Sequence, residues 1–391
     1  MAEERRRIAI VIPKYGLVGG AEGFAAELTE RIAADPRFEI HVFANRWVPS
    51  SPRITFHRVP LSKFPRFLIS PSFAWFVRKS IAAAGPFDLI HTHDRIFAAD
   101  VYTMHGIPHR WWVRQVRKKG MSLFDRATAY VEDRLVYEGG CRRFLAVSQL
   151  AREIFLSEYP VDPSLVKVLH PGVDATSYAK PDRDRCRREV RNRLGVGPDE
   201  PLILFVSMNF AVKGLDYLLR GLGRLRERDP KARFRLLVVG RGDEKGYGRL
   251  ARDLGVGDSV VFAGAVAKEE LPEIYLAGDC YAMLSRFDTF GMVVLEAMAA
   301  GLPVLISGCV GARDLVQEGQ NGFVIEAPED ADAVADRIAT LLEGDLLERM
   351  GREALQTARE NTWENAVRQV LQAYEEIWAD QRLVNSKMPQ P

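Results

Sequence analysis

The sequence predicts an α/β protein built of two doubly wound halves, each a parallel sheet with helices on both faces. Three observations carry this expectation. At 391 residues the chain is longer than one ordinary core fills. Short apolar runs alternate with helix-like segments along most of its length. The alternation breaks once, over a turn-rich and then densely charged stretch that starts at Pro171-Gly172-Val173-Asp174.

Taken in order, residues 8–12 read as a strand, 21–34 as a helix and 39–43 as a second strand. A helix at 72–84 follows, then strands at 89–91 and 101–104 and a helix at 123–138. A strand at 143–147, a helix at 149–158 and a strand at 166–169 close the first half. The charged run 183–193 reads as a solvated helix face near an interdomain linker, which puts the boundary within 172–198. Strands then recur at 202–206, 235–239, 260–262, 280–284 and 304–306. Helices lie between and after them, at 215–227, 248–254, 271–277, 291–300, 330–343 and 346–361. The last helix, 363–378, carries Trp363, Tyr374 and Trp378 and is expected to pack back on the first domain. The predicted domains are therefore 1–172 with 363–391 returning to it, and 173–362.

Composition narrows the class. No apolar run approaches 18 residues, so no transmembrane helix is expected. Only Ile8 to Ile12 follow the basic Arg5-Arg6-Arg7 before Pro13, which suits a buried strand better than a signal peptide. Cys141, Cys186, Cys280 and Cys309 are scattered, so neither a zinc site nor a disulfide framework is indicated and a reducing cytosol is the expected home. Residues 1–180 hold 26 Lys and Arg against 18 Asp and Glu, a net +8; the remainder holds 28 against 34, a net −6. The first half is expected to face something anionic.

In open α/β sheets ligands sit at the carboxyl ends of strands, and the chemical residues gather there. Gly16 to Gly20 follow the first strand, and closely spaced glycines let backbone amides approach an anion at a helix start. Lys213-Gly214 precedes a helix in the second half and is a natural diphosphate clamp. Gly240-Arg241-Gly242 fails as a dinucleotide fingerprint, because position 245 is Lys. His105 ends a strand and is a candidate substrate contact. His91 and His93, beside Asp94, share one face of an extended segment, but no third ligand is evident, so no metal is expected. The segment from His109 to Lys119 combines Trp111 and Trp112 with Arg110, Arg114, Arg117, Lys118 and Lys119, a pattern suited to an anionic membrane surface.

The most informative stretch runs from Asp279 to Ile306. A strand ends in a polar elbow containing Asp288, a helix starts at Gly291 and is stopped by Gly301 and Pro303, and a second strand follows. Glu296 interrupts the otherwise apolar Met-Val-Val-Leu-Glu-Ala-Met-Ala-Ala, which is costly unless a partner meets it.

With these residues in hand, the chain resembles the nucleotide-sugar-dependent glycosyltransferases of family 4. The resemblance rests on Gly19-Gly20-Ala21-Glu22, Thr103-x-His105, Pro171-Gly172-Val173-Asp174, Lys213-Gly214, and Asp288-x7-Glu296 followed by Gly301-x-Pro303. The segment near Phe97–Tyr102 and the Trp/basic run are similar to lipopolysaccharide-core glucosyltransferases. The resemblance implies a GT-B fold, two Rossmann-like domains facing across a cleft. It also implies retaining transfer of a hexose, UDP-glucose favoured, to a glycan or glycolipid hydroxyl at the inner face of the cytoplasmic membrane. No cofactor or metal is implied, the nucleotide-sugar being a substrate, and no nucleic-acid partner. Glu296 would take the ribose hydroxyls, and Lys213 the diphosphate, with Gly19, Gly20, Gly291 and Met292 completing the cradle. His105 and Asp288 would contact the transferred sugar. The family's first motif acid is usually Glu, whereas Asp288 is a methylene shorter. An Arg often found before the clamp Lys is Met208 here, and Arg241 or Arg286 would supply that charge. Two other classes share the fold, a nucleotide-sugar epimerase and a non-catalytic membrane-associated sugar-nucleotide-binding protein.

Overall fold

The computed structural model describes residues 5–17, 19–48 and 51–387. The chain forms two compact units, Met1–Gly172 with Trp363–Pro391, and Val173–Thr362.

The first unit holds a seven-stranded sheet, parallel throughout. Its spatial order is Ile54–Arg58, Phe38–Ala44, Arg6–Val11, Leu89–Thr92, Val101–Met104, Arg143–Ala146 and Val166–Val168. Residues Ile8 to Val11 are completely buried. That is why the central strand is a continuous apolar run instead of an alternating one, since helices cover both faces of a parallel sheet. The terminal helix, Trp363–Lys387, packs on this unit, with Val370, Tyr374, Ile377 and Trp378 all buried.

The second unit holds a six-stranded parallel sheet in the order Val260–Gly264, Arg235–Gly240, Leu202–Ser207, Cys280–Met283, Val304–Ser307 and Gly322–Ile325. In both sheets the chain moves outward from its first strand and then returns to that strand's other side. The reversal lies between Arg6–Val11 and Leu89–Thr92 in one unit, and between Leu202–Ser207 and Cys280–Met283 in the other. Loops leaving such neighbours diverge and open a crevice at their carboxyl ends.

Four strands among the described residues were not anticipated, two of which, Lys14–Tyr15 and Arg46–Trp47, pair as a separate small sheet. Ile54–Arg58 is a half-exposed edge strand, and Gly322–Ile325 is a short one that starts on a glycine. The charged run is a helix, as expected, but not a wholly solvated one. Arg183–Leu194 is a capped helix of the second unit, with Cys186, Val190 and Arg191 buried. The Asp182 carboxylate accepts from the Arg185 amide, and Gly195 ends the helix in a left-handed conformation at φ 66°. Arg191 is only 2% exposed. Its guanidinium donates to the carbonyls of Ala277, Gly197 and Glu200 and pairs with Asp279, so a residue that reads as surface charge closes the base of the sheet.

Candidate functional site

In the second unit the elbow after Cys280–Met283 is stitched to the loops on either side of it. Ser285 is fully buried and donates its hydroxyl to the Val212 carbonyl at 3.0 Å, while the Arg286 amide donates to the same carbonyl at 2.8 Å. On the other side the Asp288 amide donates to the Cys309 carbonyl, and the Gly311 amide donates to the Asp288 carbonyl, each at 2.9 Å. These bonds fix Asp288 immediately before the helix Met292–Ala299. Gly291 turns the chain at φ 91°, and a Cβ there would meet Met283 and Val310 at 3.1 Å.

Lys213 reaches this elbow from 75 residues away and pairs through Nζ with the Asp288 carboxylate. Gly214 makes the approach possible. Its φ is 72°, and a Cβ would lie 1.9 Å from the Leu284 carbonyl oxygen. The sequence therefore needs glycine beside the lysine for the two loops to touch.

Glu296 is half-buried on the helix that starts at Met292, and the i, i+4 spacing puts both residues on one face. The Tyr275 hydroxyl donates to its Oε2 at 3.2 Å. Burial raises the carboxyl above its usual range, against the opposing influence of Tyr275 and of the Lys268 charge. Tyr275 had no signal in the sequence beyond its place on an amphipathic helix.

Arg286 is committed elsewhere. Its guanidinium forms a two-armed pair with Asp216 at 2.9 and 2.8 Å and lies 4.3 Å over the Tyr217 ring, so an anion would have to displace Asp216. Arg241, at the end of its strand, is exposed, and its guanidinium has no hydrogen-bond or ion-pair partner among the described residues.

In the first unit Gly19 precedes the helix Gly20–Ala33. The Glu22 carboxylate folds back over it, to 2.1 Å from where a Cβ of residue 19 would stand. An anion at these amides would have to move Glu22. Val18, inside the same glycine motif, lies outside the described residues.

His105 stands against His93, whose Nδ1 is 2.9 Å from His105 Nε2 with the rings stacked. His91 has both nitrogens engaged, one with the Tyr374 hydroxyl and one with Thr103, each at 2.7 Å. Neither nitrogen is left for a metal, and no group of three or more candidate ligands occurs among the described residues. Burial holds His91 and His105 at about 3 and His93 well below the ordinary imidazole range, so all three are neutral at physiological pH. His93 Nε2 is buried without a partner. A buried orphan N–H is rarer than a buried orphan acceptor. The proton of His93 therefore belongs on Nδ1, donated to His105 Nε2, and His105 carries its own proton on Nδ1. Phe24 packs edge-on against His105 at 4.8 Å and against Trp363 at 5.4 Å.

Trp111 and Trp112 are half-buried, on a short helix that continues as a π-helical turn, Trp112–Val116. Arg114 pairs with Glu158 at 2.7 Å and Arg117 with Asp125 at 3.1 Å. Lys118 and Lys119 are exposed, and their ammonium groups have no partner among the described residues. Beside them lies a cavity of about 710 Å³ lined by Arg110, Arg114, Lys118, Lys119, Met121 and Arg126 among others.

Residues 187–357 match the sequence profile of the glycosyl transferases group 1, and residues 18–177 match that of glycosyltransferase family 4. The D-inositol 3-phosphate glycosyltransferase of Actinosynnema mirum is 30% identical over 317 residues, 74% of this chain and 72% of that protein. The protein of that name from Nocardia farcinica is 34% identical over 223 residues, 55% of this chain and 48% of its own. The chain thus spans about half the length of the Nocardia relative and of a similar one from Corynebacterium efficiens, at 48% and 52%. Among solved structures, WaaG, a glycosyltransferase involved in lipopolysaccharide biosynthesis, superposes with a TM-score of 0.78 at 21% identity, covering 93% of this chain and 98% of that one. Anabaena Alr3699/HepE in complex with UDP and glucose superposes with a TM-score of 0.71 at 20% identity, covering 95% and 100%. At these identities the likeness is one of fold, two parallel-sheet α/β domains of the GT-B type.

Proposed function

The chain belongs to the family 4 glycosyltransferases, and we propose that it moves a hexose from a nucleoside diphosphate sugar, UDP-glucose favoured, to a hydroxyl of a glycan or glycolipid. The observation that carries this reading is the pairing of Lys213 with Asp288 at the start of the helix that bears half-buried Glu296. A carboxylate can accept from both hydroxyls of a vicinal diol, which gives Glu296 a use for its otherwise costly position. Lys213, with the helix-terminal amides at Gly291 and Met292, stabilises charge on the departing diphosphate. Asp288 holds sugar hydroxyls, and Arg241 supplies further positive charge. In the first unit, His105 contacts the sugar, and Gly19 and Gly20 contact the donor once Glu22 moves. The acceptor hydroxyl attacks the face from which the diphosphate leaves, giving retention without a metal.

The acceptor is proposed to lie at the inner face of the cytoplasmic membrane, with lipopolysaccharide core as one class. A second reading is a phosphorylated acceptor. The cationic cavity beside Arg126 and the inositol phosphate in the relatives' names favour it. A thermal-shift panel of UDP-, GDP- and ADP-sugars tests donor binding, since a ligand of the native state raises its stability. Lys213→Ala and Glu296→Ala are each expected to abolish transfer while the fold survives; wild-type turnover by either variant removes the basis of the proposal.

A further inference from the structure

The positive charge of the first unit has a location. Between Glu39 and Asp88 there is no Asp or Glu, and there are seven Lys or Arg. Part of that span, the turn Arg66–Leu68, packs against the start of the helix Leu123–Tyr137. The Arg66 guanidinium lies 5.8 Å over the Phe124 ring, and the Ser70 and Thr128 hydroxyls are 3.3 Å apart. This packing brings two apolar groups to one surface. Phe64 is 85% exposed, Phe67 38% and Leu68 36% on one segment, and Leu123 is 69% exposed on the other. Lys63, Arg66, Lys118, Lys119 and Arg126, on the same two segments, are also exposed. The one acid there, Asp125, is 1% exposed and already bonded to Ser122, His109 and Arg117.

We propose that this surface docks on an anionic lipid bilayer, with Phe64, Phe67, Leu68 and Leu123 entering the boundary between headgroups and acyl chains. Lys63, Arg66, Lys118, Lys119 and Arg126 then face the lipid phosphates. The inference deepens the membrane-facing acceptor side proposed above and uses nothing of the donor site. Apolar side chains this exposed are stable in water only at a cost, and a cationic rim around them suits a plane of negative charge over hydrocarbon. Bases of a nucleic acid could stack on the Phe64 and Phe67 rings but would leave Leu68 and Leu123 without a use. A free phosphate would leave the apolar group without a use. The anchors differ from Trp111 and Trp112, which are half-buried.

The test is sedimentation of the full chain with vesicles of phosphatidylcholine alone or mixed with phosphatidylglycerol. Wild type is expected to sediment with the mixed vesicles, weakly with the neutral ones, and less as salt rises. Phe64→Ser with Leu123→Ser should lower partitioning roughly tenfold or more, and Lys63→Ser with Lys118→Ser and Lys119→Ser should lower it too and weaken its salt dependence. Trp111→Ser alone should leave partitioning within about twofold. Far-ultraviolet circular dichroism and the sugar-nucleotide thermal shift should match wild type in every variant. Equal sedimentation with neutral vesicles, wild-type partitioning by both multiple variants, or loss confined to Trp111→Ser overturns the proposal. So does wild-type protein that ignores both vesicles, whether or not it binds polyanions. A missing sugar-nucleotide shift with intact vesicle binding refutes the donor reading alone.

Discussion

Replacing Glu296 by Gln isolates the contact on which the donor site depends. The amide keeps the shape and one acceptor oxygen, and the Tyr275 hydroxyl, 3.2 Å from Oε2, can still donate to it. What is lost is the charge on an acceptor for two ribose hydroxyls. Hydrogen bonds to a charged group contribute about 1.5–3 kcal/mol each and neutral ones about 0.5–1.5 kcal/mol, so making both neutral costs about 2–3 kcal/mol and nucleotide affinity should fall roughly 30- to 150-fold at tenfold per about 1.4 kcal/mol. The loss is separable from misfolding. Burial raises the Glu296 carboxyl above its unfolded value, so ionising it costs native stability as pH rises through that interval. Glu296→Gln should therefore melt at or above wild type at pH 7, with the difference vanishing below the ordinary glutamate range. The assay is calorimetric titration of UDP and 2′,3′-dideoxy-UDP into both proteins. Wild type should prefer the ribose form, and the preference should fade on acidification as Glu296 takes up a proton. The variant should show a much smaller preference between the two ligands. If it loses the same factor on both, Glu296 does not read the diol and the assignment fails.

Three further outcomes follow from particular contacts. Asp288→Asn releases the Lys213 ammonium from its partner, so calorimetry should find free UDP bound a few-fold more tightly while sugar transfer drops; weaker UDP binding would place Asp288 on the nucleotide instead. Gly214→Ala forces a left-handed alanine and a Cβ into the Leu284 carbonyl, which should cost about 2–4 kcal/mol in urea unfolding; a loss below about 1 kcal/mol would show that the elbow yields easily. His93→Leu removes the donor to His105, so nitrogen-15 spectra should show His105 moving from the Nδ1–H form to a tautomer mixture; His93→Asn, with an amide near the Nδ1 position, should restore it. An unchanged His105 signal in His93→Leu rules out that hydrogen bond as the determinant.

How far the sequence could be read depended on whether a residue's role was local. Buried parallel strands such as Arg6–Val11 and Leu202–Ser207 announce themselves as apolar runs. Ile54–Arg58 and Gly322–Ile325 do not, being short, and half-polar or glycine-led. Glu296 stood out because one charge in an apolar helix breaks a pattern. Its neighbour Tyr275 breaks none, and the pairing of Lys213 with Asp288 exists only because the sheet brings the two strand ends together. Arginines were the hardest to place. Arg286 turns to Asp216 and Arg191 goes inside, because the partner of a long cationic side chain is chosen by tertiary contacts that spacing does not encode.

The terminal helix has a consequence for biogenesis. Domains released from the ribosome generally fold in the order in which they emerge, but the unit containing Met1 is also the unit containing Trp363–Pro391. The strands of its seven-stranded sheet are all translated before Val173, yet the aromatic seal over them, including the Tyr374 hydroxyl that engages His91, is made only after Val173–Thr362. The intervening unit, Val173–Thr362, is contiguous and can mature during translation, while the earlier one waits with an uncovered apolar face. The second unit is therefore expected to finish before the first. A nascent polypeptide stalled before residue 363 should present a finished second unit and an unfinished first, with the histidine cluster still lacking its Tyr374 partner.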